Sequence, residues 1–427
     1  TNETMLNFGR ELCRGCITLC RSRRLYTEYQ TVSDVISKMK NLVGARKHVD
    51  KIRLESLLPK SQQELPSRYM DDSFDTATIP LNKSVDCRNN YFSSTGDFCV
   101  SRLLEDMDIF SVWIAYKHIH TPISLDTISP YVIVTASISN INFIKCPKEE
   151  CDIKISGHVT WVGKSSMEVV LFVYQIELNV KTLLCKAIFV LVARDPSNTK
   201  RALVNPLRYK SIEEKKKYTQ AKVTKRDRSK NSLLVKPPTD IEKSIIHEQY
   251  IMTSNKYIMS SNRKLPPNYA WLEDTTLKKI VVCHPESRNI HGKLFGGFIM
   301  RMAYEVAFCN VSIFSHTSPI LRHMKDVEFL KPVEIGSLLF FETKVAYTKD
   351  DWIMIETSAE VMNPNTGTNS LTNKFYFLFQ AEGNVQQVMP LSYSDSMLHL
   401  DGRRQFLSYM ESCDDNDQKA LEMGIYS

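Results

Sequence analysis

The sequence predicts an α+β fold built twice, each half pairing one long apolar helix with an antiparallel meander of strands. Three observations carry that prediction. Each half contains one helix-length run of dense apolar content followed by four strand-like runs. The halves also align on each other, since with an offset of 196 SRLLEDMD at 101–108 falls on GFIMRMAY at 297–304. With an offset of 186, INFIKCP at 141–147 falls near VEFLKP at 327–332, and HVTWVGKSSMEV falls on KVAYTKDDWIMI. The change between offsets is a loop-length difference, so the pattern is a duplicated unit of about 120 residues.

The totals agree with two units. A chain of 427 residues holds about two domains. No run of 18 apolar residues exists, so the sequence predicts no integral membrane segment. The formal charge of +7 is local, because residues 208–230 carry ten Lys or Arg against three Asp or Glu. The neutral remainder argues against nucleic acid as a partner. Eleven cysteines form no regular framework and read as reduced, mostly buried thiols. The lone pair Cys13 and Cys16 has no second pair to complete a zinc site.

In chain order, residues 1–26 read as a mitochondrial transit segment. Between Met5 and Tyr26 stand Arg10, Arg14, Arg21, Arg23 and Arg24, no Lys and one acid, with Leu6, Phe8, Leu12, Ile17 and Leu19 as apolar surface. Residues 27–70 read as a helical extension, with Val32, Val35, Ile36, Met39 and Leu42 at helical spacing. Residues 71–208 are the first domain. There 74–81 alternates like an edge strand, 102–116 is a dense apolar helix, and strands follow at 131–144, 151–164, 166–178 and 183–194. Residues 209–262 form a charged linker with a short helix at 240–251. Residues 263–385 repeat the order, with strands at 277–283, 321–329, 337–347, 352–362 and 371–382. Residues 386–427 are a C-terminal tail.

The segment 288–305, RNIHGKLFGGFIMRMAYE, organises the second half. Gly296 and Gly297 open an apolar helix that continues to about Ser315, before Ser318 and Pro319. Two glycines at a helix N-terminus let backbone N–H groups approach a carbonyl oxygen or an anion, and the helix dipole adds positive character there. The competing reading is a Gly-rich turn leading into a core helix. Asn followed by a short turn, a Gly-Gly pair and an apolar helix resembles the asparagine loop and central helix of acyl-CoA thioesterases with the hotdog fold. VTWVGKSSMEV at 159–169 resembles a strand–turn–strand signature of the same family. The resemblance covers roughly residues 65–405.

It implies a double hotdog, two antiparallel sheets each wrapped around a central helix. It also implies hydrolysis of acyl-CoA by an Asn from one half and an Asp on the helix of the other. Carried over by position, the Asn is Asn289 and the Asp is Asp108. The reciprocal positions hold Ser93 and Tyr304, so one composite site remains. The chemistry suits the pair. Thioester hydrolysis by water needs a base and an oxyanion stabiliser. Asp108 stands among Leu104, Met107, Ile109 and Phe110, where desolvation raises a carboxyl pKa toward general-base range. Asn289 can donate and accept, and backbone N–H groups at Gly296 and Gly297 can meet the oxyanion. Glu105 and Asp106 read as solvent-facing or helix-capping. Arg288, Lys293 and Lys164 are candidates for the phosphates of CoA. His118, His120 and His158 lack clustered carboxylates, so no metal site is read there. No GxSxG occurs, against a serine hydrolase. The resemblance further implies no metal or redox cofactor, a homo-oligomer (a trimer of double hotdogs), and a place in the mitochondrial matrix. Two alternatives stand beside hydrolysis. One is another hotdog enzyme such as a hydratase, with His291 near Asn289. The other is a non-catalytic acyl-CoA sensor, if Ser93, Ser101 and Tyr304 mark decay.

Overall fold

A computed structural model of the chain describes residues 30–42, 51–93, 96–120, 128–177, 180–212, 214–216, 236–254, 263–284, 294, 296–325, 327–331 and 333–422. Residues 1–26, Arg288, Asn289, His291 and Lys293 lie outside the described residues, so the transit segment and half of the expected catalytic pair do too.

The first half runs β1 (Asp75–Ile79), a helix Val100–Ile119, then β2 (Val132–Phe143), β3 (Ile153–Val162), β4 (Ser166–Glu177) and β5 (Val180–Arg194). The second half is entered through a short strand β6 (Tyr269–Trp271) and repeats that order. It runs β7 (Leu277–Val282), a helix Gly296–Ser315, β8 (Ile320–Lys325), β9 (Val327–Glu328), β10 (Leu338–Lys349), β11 (Trp352–Met362) and β12 (Asn369–Gln380). A last short strand, β13 (Gln387–Met389), pairs parallel to β6. Four longer helices position the site and its surroundings. They are α1 (Val32–Leu42), α2 (Val100–Ile119), α3 (Asp240–Thr253) and α4 (Gly296–Ser315). A fifth, α5 (Tyr393–Glu422), closes the chain.

The strands form one antiparallel sheet in the order β1-β3-β4-β5-β2-β8-β12-β11-β10-β7, with β9 paired to β2. The second half mirrors the first outward from the β2–β8 seam. The expected two sheets are therefore joined edge to edge. Ile141 pairs with Met324 and Asn142 with His323, while Ile138 pairs with Val327. Joining them satisfies backbone groups that two separate sheets would leave bare at β2 and β8. The outer edges are β1, as its alternation predicted, and β7.

α2 lies across β2, β3, β4 and β5, α4 lies across β7, β10, β11 and β12, and the two helices pack on each other. That explains why both are apolar on nearly every face: each is walled by sheet on one side and by its twin on another. α2 buries Leu103, Leu104, Met107, Phe110, Ile114 and Tyr116. α4 has the length and composition to cross a bilayer, but here Ile299, Met300, Ala303, Val306 and Ala307 are spent on the sheet and on α2. His316, held at φ 56°, ends α4 in the left-handed conformation, and Pro319 follows. α1 presents Val32, Val35, Met39 and Leu42 to α2, as the spacing predicted.

Sequence set residues 386–427 apart as a tail, yet they supply β13 and the 30-residue α5, which packs on β10, β11 and β12. Phe406 and Leu407 of α5 meet Met354 and Leu378. Gly402 makes this approach possible, because a Cβ there would stand 2.8 Å from the Cβ of Ala346. The helix expected within the linker is α3, started by a Thr239–Glu242 capping box and clamped to α5 by Arg404, which donates to both oxygens of Glu242 at 2.7 Å. Seven described cysteines are free thiols. Among Cys87, Cys99, Cys146, Cys151, Cys185, Cys283 and Cys309, only Cys185 and Cys283 are buried, fewer than the sequence reading expected.

Candidate active site

Asp108 sits on the third turn of α2 and is 1 % exposed. Its carboxylate faces α4. The Gly297 backbone N–H donates to Asp108 Oδ2 at 2.7 Å, and Thr135 Oγ1 on β2 donates to Oδ1 at 2.7 Å. A carboxylate of the first half therefore caps the helix of the second half, where the orphan N–H groups and the dipole favour negative charge. Burial still dominates. It pushes the Asp108 pKa up to about 6, against the lowering by Thr135 and Gly297, with Glu105 adding a small like-charge rise. The result is a buried carboxyl group held at fixed geometry with its pKa raised to about 6.

The glycine pair is needed for contact distance. A Cβ on Gly297 would lie 2.9 Å from Asp108 Cβ and 3.2 Å from Glu105 Cα. A Cβ on Gly296 would meet the Phe329 ring at 3.1 Å and Thr135 Cβ at 3.5 Å. Any side chain at 297 would push α4 off α2. The Gly297 N–H, expected to meet an oxyanion, donates to Asp108 in this structure.

Around this centre Arg301 of α4 bridges the halves. Its Nη1 donates to Glu105 Oε2 at 3.0 Å and its Nε to Glu305 Oε1 at 3.0 Å, and Lys279 adds a 3.2 Å pair to Glu305. Glu305 is thus tied up in ion pairs. Asp106 is not solvent-facing. It is 2 % exposed, hydrogen-bonded by the Tyr91 hydroxyl, with Arg102 at 4.0 Å, and burial raises its pKa to about 6. Asp106 and Asp108 are two residues apart on α2, so they point about 200° apart, and only Asp108 meets α4.

Lys164 is exposed in the β3–β4 turn, and no hydrogen bond or ion pair among the described residues ties it to the Asp108 cluster. His118 and His120 do not converge with His158 on a common ligand. His118 Nε2 is paired with the Asn205 carbonyl at 2.9 Å and His120 Nε2 with Ser129 Oγ at 2.8 Å. At the reciprocal position Tyr304 is buried against Phe308, Phe377 and Phe379. Ser93 stands in the loop before α2, where its N–H donates to the Asp97 carbonyl. Thr135 was passed over in sequence. It occupies one position in an ordinary β-rich strand, and nothing local distinguishes it from Thr or Ser at neighbouring positions.

No family model matches the chain. Among characterised proteins it is 37 % identical to mitochondrial acyl-coenzyme A thioesterase 9 of Mus musculus over 421 residues, covering 95 % of this chain and 94 % of that protein. It is 39 % identical to the Homo sapiens thioesterase 9 over 390 residues, covering 88 % of each. It is 36 % identical to mitochondrial acyl-coenzyme A thioesterase 10 of Mus musculus over 95 % of this chain and 94 % of that protein. Among solved structures, an acyl-CoA hydrolase from Staphylococcus aureus, complexed with butyryl coenzyme A, is 19 % identical over 36 % of this chain and 97 % of its own, with a TM-score of 0.33. A TM-score of that size does not fix the fold. Identity above 30 % along nearly the whole of both chains does fix the family, and this chain belongs to that of the mitochondrial acyl-coenzyme A thioesterases 9 and 10.

Proposed function

We propose that this chain hydrolyses acyl-coenzyme A thioesters to a free carboxylic acid and coenzyme A, at a single composite site formed by Asp108 of the first half and the α4 entry of the second. The observation that carries the site is the buried Asp108 carboxylate with a pKa near 6, held by Gly297 across the junction of the halves. Each carboxylate oxygen accepts one donor and retains a lone pair. Asp108 takes a proton from water as the water oxygen attacks the thioester carbonyl carbon. The C–S bond then breaks, and the proton passes to the departing thiolate. Gly296 N–H and the dipole of α4 stabilise the carbonyl oxygen as charge develops. Asn289, seven residues before Gly296, orients the water or the carbonyl. Arg288, Lys293 and Lys164 contact the phosphates of coenzyme A. No metal or redox cofactor takes part.

On the same reading each half is a hotdog, with its half-sheet wrapped around its own helix. Double hotdogs associate as a trimer. The family places the protein in the mitochondrion, and the proposal extends this to the matrix, with residues 1–26 as the transit segment. The test is thiol release from a panel of acyl-CoAs. Turnover by the wild type that falls about 10²-fold or more in both Asp108→Ala and Asn289→Ala, with folding intact, supports the composite site. Turnover that survives both substitutions overturns it.

A further inference from the structure

The duplication leaves a second junction, related to the first by exchange of the two halves. There Tyr304 of α4 takes the place of Asp108, and Ser101 of α2 that of Gly297 (297 − 101 = 304 − 108 = 196). This junction is open. A cleft of about 920 Å³ lies over it, walled by Phe92, Phe98, Phe143, Phe308 and Leu321, with Tyr304 and Ser101 in its lining. That is at the upper end of the roughly 300–1,000 Å³ typical of small-molecule sites. Tyr304 is 6 % exposed, its ring stacks on Phe308, and it forms part of the cleft wall. A phenol in the wall of an otherwise apolar cleft is a donor that the acceptor group of a ligand can engage. Burial raises its pKa, so the hydroxyl stays protonated and remains a donor.

The exchange of Asp for Tyr inverts the polarity of the site. Asp108 offers an acceptor and repels an anion, whereas Tyr304 offers a donor and holds no base. The cleft also bears Lys145, Lys278, Lys279 and Arg322 against Asp97, Glu305 and Glu382, a surplus of one positive charge. Lys278 and Lys279 are already paired, with Glu342 and Glu305 respectively. Lys145 is exposed at the cleft. An apolar wall of four phenylalanines, one phenol donor and a basic edge fit an aliphatic chain ending in a carboxylate.

We infer that the cleft over Tyr304 is a non-hydrolytic binding site for a free aliphatic carboxylate, held by the Tyr304 hydroxyl with its chain against Phe92, Phe98, Phe143 and Phe308. This goes beyond the hydrolytic reading. It places a receptor for the class of product that reading implies on the same molecule, across the helix pair from Asp108. Isothermal titration of the full chain with sodium dodecanoate tests it. Turnover is not involved, so the result stands whether or not the hydrolytic proposal survives. The expected result is saturable binding that weakens about tenfold in Tyr304→Phe, which removes one hydrogen bond. Binding should be lost in Cys309→Trp, whose indole fills the cleft from an exposed position. Both variants should keep the wild-type melting temperature. Dodecanoate affinity unchanged in both variants, or no binding by the wild type, overturns the proposal.

Discussion

Asp108 shows the conflict between stability and chemistry within one side chain. Its folded pKa of about 6 lies above the ordinary 3.8, so its stabilising form is the protonated one. That stability is fully present below pH 3.8 and is lost as pH rises through 6. Ionised Asp108 therefore costs about 3 kcal/mol at pH 8 (about 2.2 units at 1.36 kcal/mol each). Asn is nearly isosteric, can accept from Gly297 and donate to Thr135, and carries no charge. Asp108→Asn is accordingly expected to abolish turnover and to raise unfolding stability in urea at pH 8 by up to about 3 kcal/mol, with little change at pH 4. An equal effect at both pH values would refute the desolvation argument. Thr135 acts on the same group from β2. Removing its donated hydrogen bond in Thr135→Val destabilises the carboxylate by about 1.5–3 kcal/mol, which moves the pH–rate midpoint upward by about one to two units. A midpoint that stays near 6 would assign the titration to another residue.

The junction of α2 with α4 brings Asp108 of the first half against the backbone of the second. Both helices are 20 residues long and begin 196 residues apart (296 − 100), so the offset found in sequence is the offset of the helices themselves. Their existence was legible because both are apolar all round, and the strands because they alternate or run apolar between turns. The joining of β2 to β8 was not legible. Either strand could equally have closed an edge, and nothing local says which edges meet. α5 was also hidden, since it carries Gly402 and a polar run ending in CDDND, and only packing on the outer face of β10–β12 makes it a helix. Asp108 was singled out by position within a resemblance to a known family, whereas Thr135 depends on contacts that no spacing encodes. The close approach at Gly297 gives a test of the junction. Ala is favoured over Gly inside a helix by about 1 kcal/mol. Its Cβ would nonetheless stand 2.9 Å from Asp108 Cβ and displace the carboxylate. Gly297→Ala is expected to lower kcat/KM by about 10²-fold through misplacement of the base. Gly296→Ala meets the ring of Phe329, which can turn, so its loss should be the smaller. Equal activity of wild type and Gly297→Ala would remove the α2–α4 contact from the mechanism.

At the scale of the whole molecule the two halves share one sheet, one helix pair and one continuous core that runs from Val35 and Leu104 to Met300 and Phe377. Several titratable groups are buried in or against this common body, and their signs can be weighed. Burial holds four histidines neutral: His118, His120 and His399 with pKa lowered to about 4, and His323, bonded to Asn142 across the β2–β8 seam, to about 3. A depressed folded pKa gives stability that is present above the unfolded value of 6.5 and is lost as pH falls. Asp106 and Asp108, both raised to about 6, work in the opposite direction and gain stability as pH falls from 7 to 5. Each histidine loses about 2 kcal/mol over that interval and each aspartate regains about 1 kcal/mol, so four losses outweigh two gains by on the order of 5 kcal/mol. The thermal midpoint should therefore be several degrees lower at pH 5 than at pH 7, in a single transition at both. His323→Gln, which can still hydrogen-bond Asn142 but does not titrate, should recover part of the difference. A midpoint that rises toward pH 5 would mean that the carboxylates dominate. Two separate transitions would mean that the seam and the helix pair do not bind the halves into one cooperative unit.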